Sequence, residues 1–155
     1  MKDLRRNFLK LAGGAGAVAV TAATGLLKPG SAWAAPWNKT AFESKAAADA
    51  IKGLGAAELV ESKNITITAP DIAENGAIVP VAVTSKIPNT QSISIVAEKN
   101  PFPLAASFDI SAGGEAYVST RLKMGQTSNV RAIVKADGKF YTAIKEVKVT
   151  VGGCG

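Results

Sequence analysis

The only cysteine of this 155-residue chain, Cys154, stands in the run Val151-Gly152-Gly153-Cys154-Gly155. A thiol flanked by glycine and lying beyond the last strand-like segment has no core to pack into, and Gly152 and Gly153 give its backbone conformations that other residues avoid. Four residues past Val151 span about 14 Å when extended. That is the reach of a thin arm able to offer a nucleophilic sulfur to another protein's cleft. The chain contains no histidine. His-based triads, His general bases and His metal ligands are therefore absent together, and one cysteine cannot build a thiolate cage. The composition excludes the common hydrolase and metalloenzyme designs and leaves Cys154 as the residue with chemistry to offer. No resident cofactor or metal is expected, and no catalytic residue besides the thiol stands out.

The opposite end of the chain indicates where the thiol works. Arg5 and Arg6 are followed by Asn7-Phe8-Leu9-Lys10, then by an uncharged Ala/Gly-rich stretch from Leu11 to Leu27. Ala32-Trp33-Ala34 supplies small residues before a cleavage point between Ala34 and Ala35. This pattern is that of a twin-arginine export signal and predicts a periplasmic protein. Gly13, Gly14, Gly16 and Gly25 dilute the apolar stretch below the ~20 residues of a membrane span, so no span is expected. The leader also distorts the composition. It holds five of the 18 basic residues and one of the 12 acidic ones, so the formal charge of +6 falls to +2 for the mature chain. No basic run with interleaved aromatics remains, which argues against nucleic-acid binding.

In an oxidising compartment a lone cysteine cannot close an intramolecular disulfide. Cys154 must remain free, be modified, or pair with another chain, for instance as a disulfide-linked dimer. The twin-arginine route carries folded proteins, often those with a cofactor or a bound partner. With no cofactor ligands in the sequence, a second, signal-less subunit is the expected passenger.

The elements that position the arm can be read from periodicity. Thr40 and Glu43 fit a capping box, and Phe42, Ala46, Ala50 and Leu54 recur at helical spacing, predicting a helix from Ala41 to Lys52 that ends at Gly53 and Gly55. A second short helical piece is expected at Ala56 to Glu61. From Asn64 the period becomes two: Ile65/Ile67, Val79/Val81/Val83, Ile93/Ile95 and Phe108/Ile110 alternate with smaller or polar residues, followed by Tyr117 to Leu122, Asn129 to Ala136 and Lys139 to Val151. Asp137-Gly138 signals a two-residue hairpin joining the last two. About seven short strands predict a mainly β fold, an immunoglobulin-like antiparallel β-sandwich, with a short N-terminal helical segment and a flexible C-terminal Gly-Gly-Cys-Gly arm. The expected organisation is leader 1–34, helical segment 35–62, sandwich 63–151 and carrier arm 152–155. The face of the last strand that carries Val147, Val149 and Val151 should be buried, fixing the base of the arm, while Lys148 and Thr150 stay wet.

Within this frame the other noticeable residues have ordinary readings. Asn100-Pro101-Phe102-Pro103 reads as a rigid turn, although an exposed Phe102 held between two prolines would suit an interface. Arg121, Lys123 and Arg131 could attract anions but read as a solvated strand face, and Tyr117 and Tyr141 read as strand residues.

The Gly152-Gly153-Cys154-Gly155 tail, the twin-arginine leader and several body segments together resemble the SoxY family, sulfur-carrier subunits of the periplasmic thiosulfate-oxidising system. The body segments are Ala69-Pro70-Asp71-Ile72-Ala73-Glu74-Asn75-Gly76, Val79-Pro80-Val81, Asn100-Pro101-Phe102-Pro103-Leu104-Ala105, and the stretch from Ser119-Thr120-Arg121-Leu122-Lys123-Met124 to Val130-Arg131-Ala132. The family's tail commonly carries one more glycine after the cysteine than is seen here. The resemblance implies a heterodimer with a SoxZ-like subunit. It also implies transient visits to SoxAX, which would join thiosulfate to Cys154 as an S-thiosulfonate, to SoxB, which would release sulfate and leave a persulfide, and to SoxCD-type enzymes. In that role the chain is the covalent substrate of other enzymes and not itself an enzyme. Two other readings stay open on the residues alone: a thiol-dependent periplasmic sulfurtransferase, or a structural sandwich cross-linked through Cys154.

Overall fold

The computed structural model describes residues 37–150. Val151, the arm Gly152, Gly153, Cys154 and Gly155, and the leader residues Arg5, Arg6, Ala34 and Ala35 lie outside the described residues.

The unit beginning at Asn38 opens with two short helices, α1 (Lys39–Glu43) and α2 (Ala47–Gly53), in place of one continuous helix from Ala41 to Lys52. The capping box is not formed. Asn38, not Thr40, caps α1, its Oδ1 accepting the Ala41 N–H at 3.1 Å. Glu43 instead faces Lys39 at 3.8 Å in an exposed pair. The break at Ser44, which has extended backbone, has a packing reason. Ala41 and Ala50 are both fully buried. Nine residues apart, they would point to opposite sides of a straight helix, about two and a half turns from one another. Breaking the helix lets both face inward. Gly53 permits the resulting close approach, since a Cβ there would lie 2.8 Å from Ala41 Cα. Asn38 Nδ2 clamps the pair by donating to the Gly53 carbonyl at 2.8 Å. Gly55, at φ +81°, then ends α2: its N–H reaches the Lys52 carbonyl and the Ala56 N–H reaches that of Ile51, the two bonds of a Schellman motif. The chain does not form the helical piece expected at Ala56 to Glu61 and extends instead into strand β1.

Nine strands follow: β1 (Val60–Glu61), β2 (Ile65–Thr68), β3 (Ile72–Ala73), β4 (Val79–Ser85), β5 (Thr90–Ala97), β6 (Leu104–Asp109), β7 (Tyr117–Leu122), β8 (Ser128–Ala136) and β9 (Lys139–Val149). The seven strands read from periodicity are all present, and they make two facing sheets. One has the order β1-β9-β8-β5-β6, with β3 also on β9, and the other the order β2-β4-β7. The fold is thus mainly β, an immunoglobulin-like sandwich. The main pairings are antiparallel, while the two-residue strands β1 and β3 lie parallel to β9. Asp137 (φ 49°) and Gly138 (φ 73°) make the tight β8–β9 turn, both with the positive φ of a type I′ hairpin.

The core lies where the alternation of each strand places it. Val79, Val81 and Val83 of the smaller sheet meet Ile93, Ile95, Val130, Ala132, Val134 and Val147 of the larger one, all buried. The larger sheet's outer face has a second apolar cluster, in which Val96, Leu104 and Ile133 are covered by Ala41, Ala50 and Ala56. The helices therefore form a third layer. Buried hydroxyls are satisfied: Thr142 Oγ1 donates to the Ala132 carbonyl at 3.0 Å, and the Ser94 and Ser107 hydroxyls pair at 2.8 Å. No described residue belongs to a helix long and apolar enough to cross a membrane.

Candidate functional site at the foot of the C-terminal arm

The described part of the site is the platform from which the arm leaves. Strand β9 ends at Val149, two residues before the end expected from alternation, and Thr150 continues it by one hydrogen bond, its N–H donating to the Ala73 carbonyl at 3.1 Å. Val147 is fully buried and Val149 half-buried among the core residues, while Lys148 is exposed, as the pattern of this strand predicted.

Three contacts hold this root. On one flank, β3 pairs with Lys148 and Val149, and the Lys148 N–H donates to the Asp71 carbonyl at 3.0 Å. On the other flank, the Thr127 hydroxyl accepts the Val149 N–H at 3.0 Å and lies 3.5 Å from the Val149 carbonyl. Beneath it, Gly76 leaves no room for a side chain, since a Cβ would press on the Met124 carbonyl and come within 2.8 Å of Val149 Cγ1. The Met124 N–H also donates to the Gly76 carbonyl at 2.6 Å. Lys145 faces Asp71 at 3.0 Å, but the Asp71 side chain is 89% exposed and the pair adds little.

Sequence reasoning missed Thr127, Gly76, Ala73 and Asp71 as supports of the arm. Asp71, Ala73 and Gly76 do fall within one of the segments that carry the family resemblance, and that was the available signal. Ile72 of β3 and the loops bearing Phe102 and Lys123 lie at this end of the sandwich, because β4, β6 and β8 start here and β5, β7 and β9 end here. Phe102 is exposed, as an interface residue would be. The three basic residues are not gathered. Arg131, on the outer face of the larger sheet, is engaged by Glu98 through Nη2 at 2.7 Å and Nε at 2.8 Å, whereas Arg121 lies on the smaller sheet. Tyr117 and Tyr141 are strand residues of β7 and β9.

One cleft of about 560 Å³ lies among residues 85–91 and 110–116, with Lys86 as the only charged residue of its lining. It belongs to the far end of the sandwich, beside Thr90, which pairs with Ala136 next to the β8–β9 turn. The 11-residue strand β9 separates the two ends by about 33 Å at ~3.3 Å per residue. An arm reaching about 14 Å cannot bring Cys154 into it. No group of three or more acidic or thiol side chains suited to a metal ion occurs among the described residues.

Comparison with known proteins accords with this arrangement. The family model described as "Sulfur oxidation protein SoxY" matches residues 51–154, a segment that includes Cys154. Among solved structures, the sulfur carrier protein SoxY from Chlorobium limicola f thiosulfatophilum is similar at 44% identity and a TM-score of 0.60, over 65% of this chain and 92% of that one. The human F-spondin reeler domain is matched at 10% identity with a TM-score of 0.38, over 61% of this chain and 95% of that one, too remote to bear on function. No curated protein matches. A matching family model spanning most of the chain, and a 44% identical solved carrier, converge on one assignment: the chain belongs to the SoxY family of sulfur-oxidation carrier proteins.

Proposed function

We propose that Cys154 is the covalent attachment point for sulfur intermediates of thiosulfate oxidation, and that partner enzymes perform the chemistry. The observation that carries this reading is the family match that runs through Cys154, the chain's only thiol, which follows the end of β9 in a Gly-Gly-Cys-Gly segment, opposite the cleft among residues 85–91 and 110–116. In the first step a SoxAX-type haem protein joins the Cys154 sulfur to the outer sulfur of thiosulfate. One S–S bond forms, the thiol proton passes to water, and two electrons pass to the haem protein. SoxB-type hydrolysis then places water on the sulfonate sulfur, cleaves the S–S bond to it, and releases sulfate and two protons, leaving a persulfide on Cys154. A SoxCD-type enzyme or a related route oxidises the terminal sulfur, with water as oxygen source and its own acceptor taking the electrons. A last hydrolysis frees the thiol.

The setting follows from the same reading. Arg5 and Arg6 direct twin-arginine export, cleavage between Ala34 and Ala35 releases the mature chain in the periplasm, and a SoxZ-like subunit is the passenger that folds with it. Glycine neighbours leave room beside Cys154 for the bulkier sulfonate.

The test is intact-mass measurement of the mature chain and its partner subunit after incubation with thiosulfate and the loading enzyme. A thiosulfonate adduct on Cys154, absent from Cys154→Ser, supports the carrier. Turnover by the isolated chain would instead show a sulfurtransferase, and a doubled mass under oxidation without any adduct would show a cross-linked structural protein.

A further inference from the structure

We propose that Asn75 is a site of spontaneous covalent modification in the folded protein. The Gly76 backbone nitrogen closes on the Asn75 carboxamide, ammonia leaves, and the product loosens the end of β9. Asn75 is the one asparagine of the chain that precedes a glycine. A side chain on the following residue shields that residue's backbone nitrogen, and glycine has none. Asn64, Asn89 and Asn129 precede Ile65, Thr90 and Val130, whose stiff β-branched side chains crowd the nitrogen. Asn100 precedes Pro101, which has no N–H to lose. Asn38 precedes Lys39, and its Oδ1 is engaged in capping α1.

The fold holds this pair ready to react. Residues 75–78 form a turn, the Ile78 N–H donating to the Asn75 carbonyl at 3.3 Å. Inside it, Asn75 Oδ1 accepts the Ala77 N–H at 2.9 Å, which folds the carboxamide back toward the Gly76 peptide. The same bond draws electron density from Cγ and stabilises the charge that gathers on Oδ1 during attack. The Gly76 N–H has no acceptor among the described residues, so no hydrogen bond must break before that nitrogen reacts. Asn75 is exposed, and water reaches it. Packing in turn imposes glycine at 76, since a Cβ there would press on the Met124 carbonyl and lie 2.8 Å from Val149 Cγ1. The close approach that supports β9 is what leaves the nitrogen unshielded.

The reaction needs no other reagent than water. The bond from Gly76 N to Asn75 Cγ forms, the Cγ–Nδ2 bond breaks, and the amide proton departs with Nδ2 as ammonia. Water then adds to either carbonyl of the cyclic imide and cleaves its bond to the nitrogen. Opening at Cγ leaves aspartate at position 75. Opening at the main-chain carbonyl leaves isoaspartate, whose backbone runs through the side-chain methylene and is longer by that methylene. Gly76 has no slack to absorb it, because its carbonyl accepts the Met124 N–H at 2.6 Å and its Cα faces Val149. The lengthened chain displaces Gly76 and removes the support it gives to Val149.

The experiment ages the mature chain with its partner subunit at neutral and mildly alkaline pH, and follows every asparagine by peptide mapping and mass spectrometry. Position 75 should gain the mass difference between water and ammonia at least about tenfold faster than any other asparagine, a barrier lower by about 1.4 kcal/mol. The reaction should quicken as pH rises, because the deprotonated amide attacks, and enzymatic carboxyl methylation should detect isoaspartate. In the aged chain the Val149 amide should exchange hydrogen faster. Asn75→Ser, which keeps a turn-capping oxygen but has no carboxamide, should age without that change. Asn75→Asp, which adds the charge without lengthening the backbone, should keep Val149 protected. An Asn75 that persists in the folded chain yet converts in urea would overturn the proposal, since the fold would then protect the pair. Conversion with unchanged exchange at Val149, or equally fast exchange in fresh Asn75→Asp, would overturn the link to β9.

Discussion

Thr127 and Val149 meet through one hydroxyl: Thr127 Oγ1 accepts the Val149 N–H at 3.0 Å and lies within donating distance, 3.5 Å, of the Val149 carbonyl. A side chain thereby occupies the place of the next strand residue beside β9, at the last point before the chain departs as the arm. Thr127→Val keeps the shape and removes the hydroxyl. It should cost about 1 kcal/mol, the typical worth of such a bond. The Val149 amide should exchange hydrogen faster in the variant, while amides in the middle of β8 keep their protection. Unchanged exchange at Val149 would show that Thr127 does not hold the root.

Gly76 and Gly125 flank the same segment and should respond differently to alanine. A Cβ at Gly76 has no space against the Met124 carbonyl and Val149 Cγ1, whereas one at Gly125 meets nothing within 4 Å. Gly76→Ala should destabilise by about 1–3 kcal/mol through overpacking. Gly125→Ala should be neutral or slightly stabilising, because it narrows the unfolded ensemble. Denaturant midpoints of the two variants, compared with equal m-values, give the answer.

At the N-terminal helices, the competing caps can be told apart by mutation. Asn38 both caps α1 and clamps Gly53. Asn38→Ala should therefore lose about 1–2 kcal/mol. Thr40→Ala should cost only a few tenths, since the Thr40 side chain caps nothing and its carbonyl still accepts the Ser44 hydroxyl. Equal losses in thermal unfolding would restore the capping box.

On the arm, Gly153→Val should leave the thermal midpoint unchanged, because it lies beyond the strand, yet lower enzymatic loading of Cys154 by tenfold or more. A β-branched side chain both stiffens the arm and widens it. Loading at the wild-type rate would mean that the channel receiving the arm is not narrow.

Much of the molecule is legible locally. Asp137-Gly138 announces its turn because positive φ at two successive positions favours those residues, and β4 and β9 show their faces because alternate residues of a strand point to opposite sides. Cys154 between glycines, in a chain without histidine, is likewise a local feature, and the carrier reading rests on it. Other features depend on partners distant in sequence. The helix from Ala41 to Lys52 had the right periodicity but broke at Ser44, since only the broken form turns both Ala41 and Ala50 inward. Strands β1 and β3 are two residues each, too short to show a period, and exist because the open flank of β9 pairs with them about 75 to 80 residues away in sequence. The sandwich, its hairpin and the lone thiol near the C-terminus are readable along the chain, because propensity and alternation act between neighbours. That Thr127, Ala73 and Gly76 hold the end of β9 is set by tertiary contacts alone. Hydrogen bonds and close packing between segments far apart in the chain leave no periodic trace in either one.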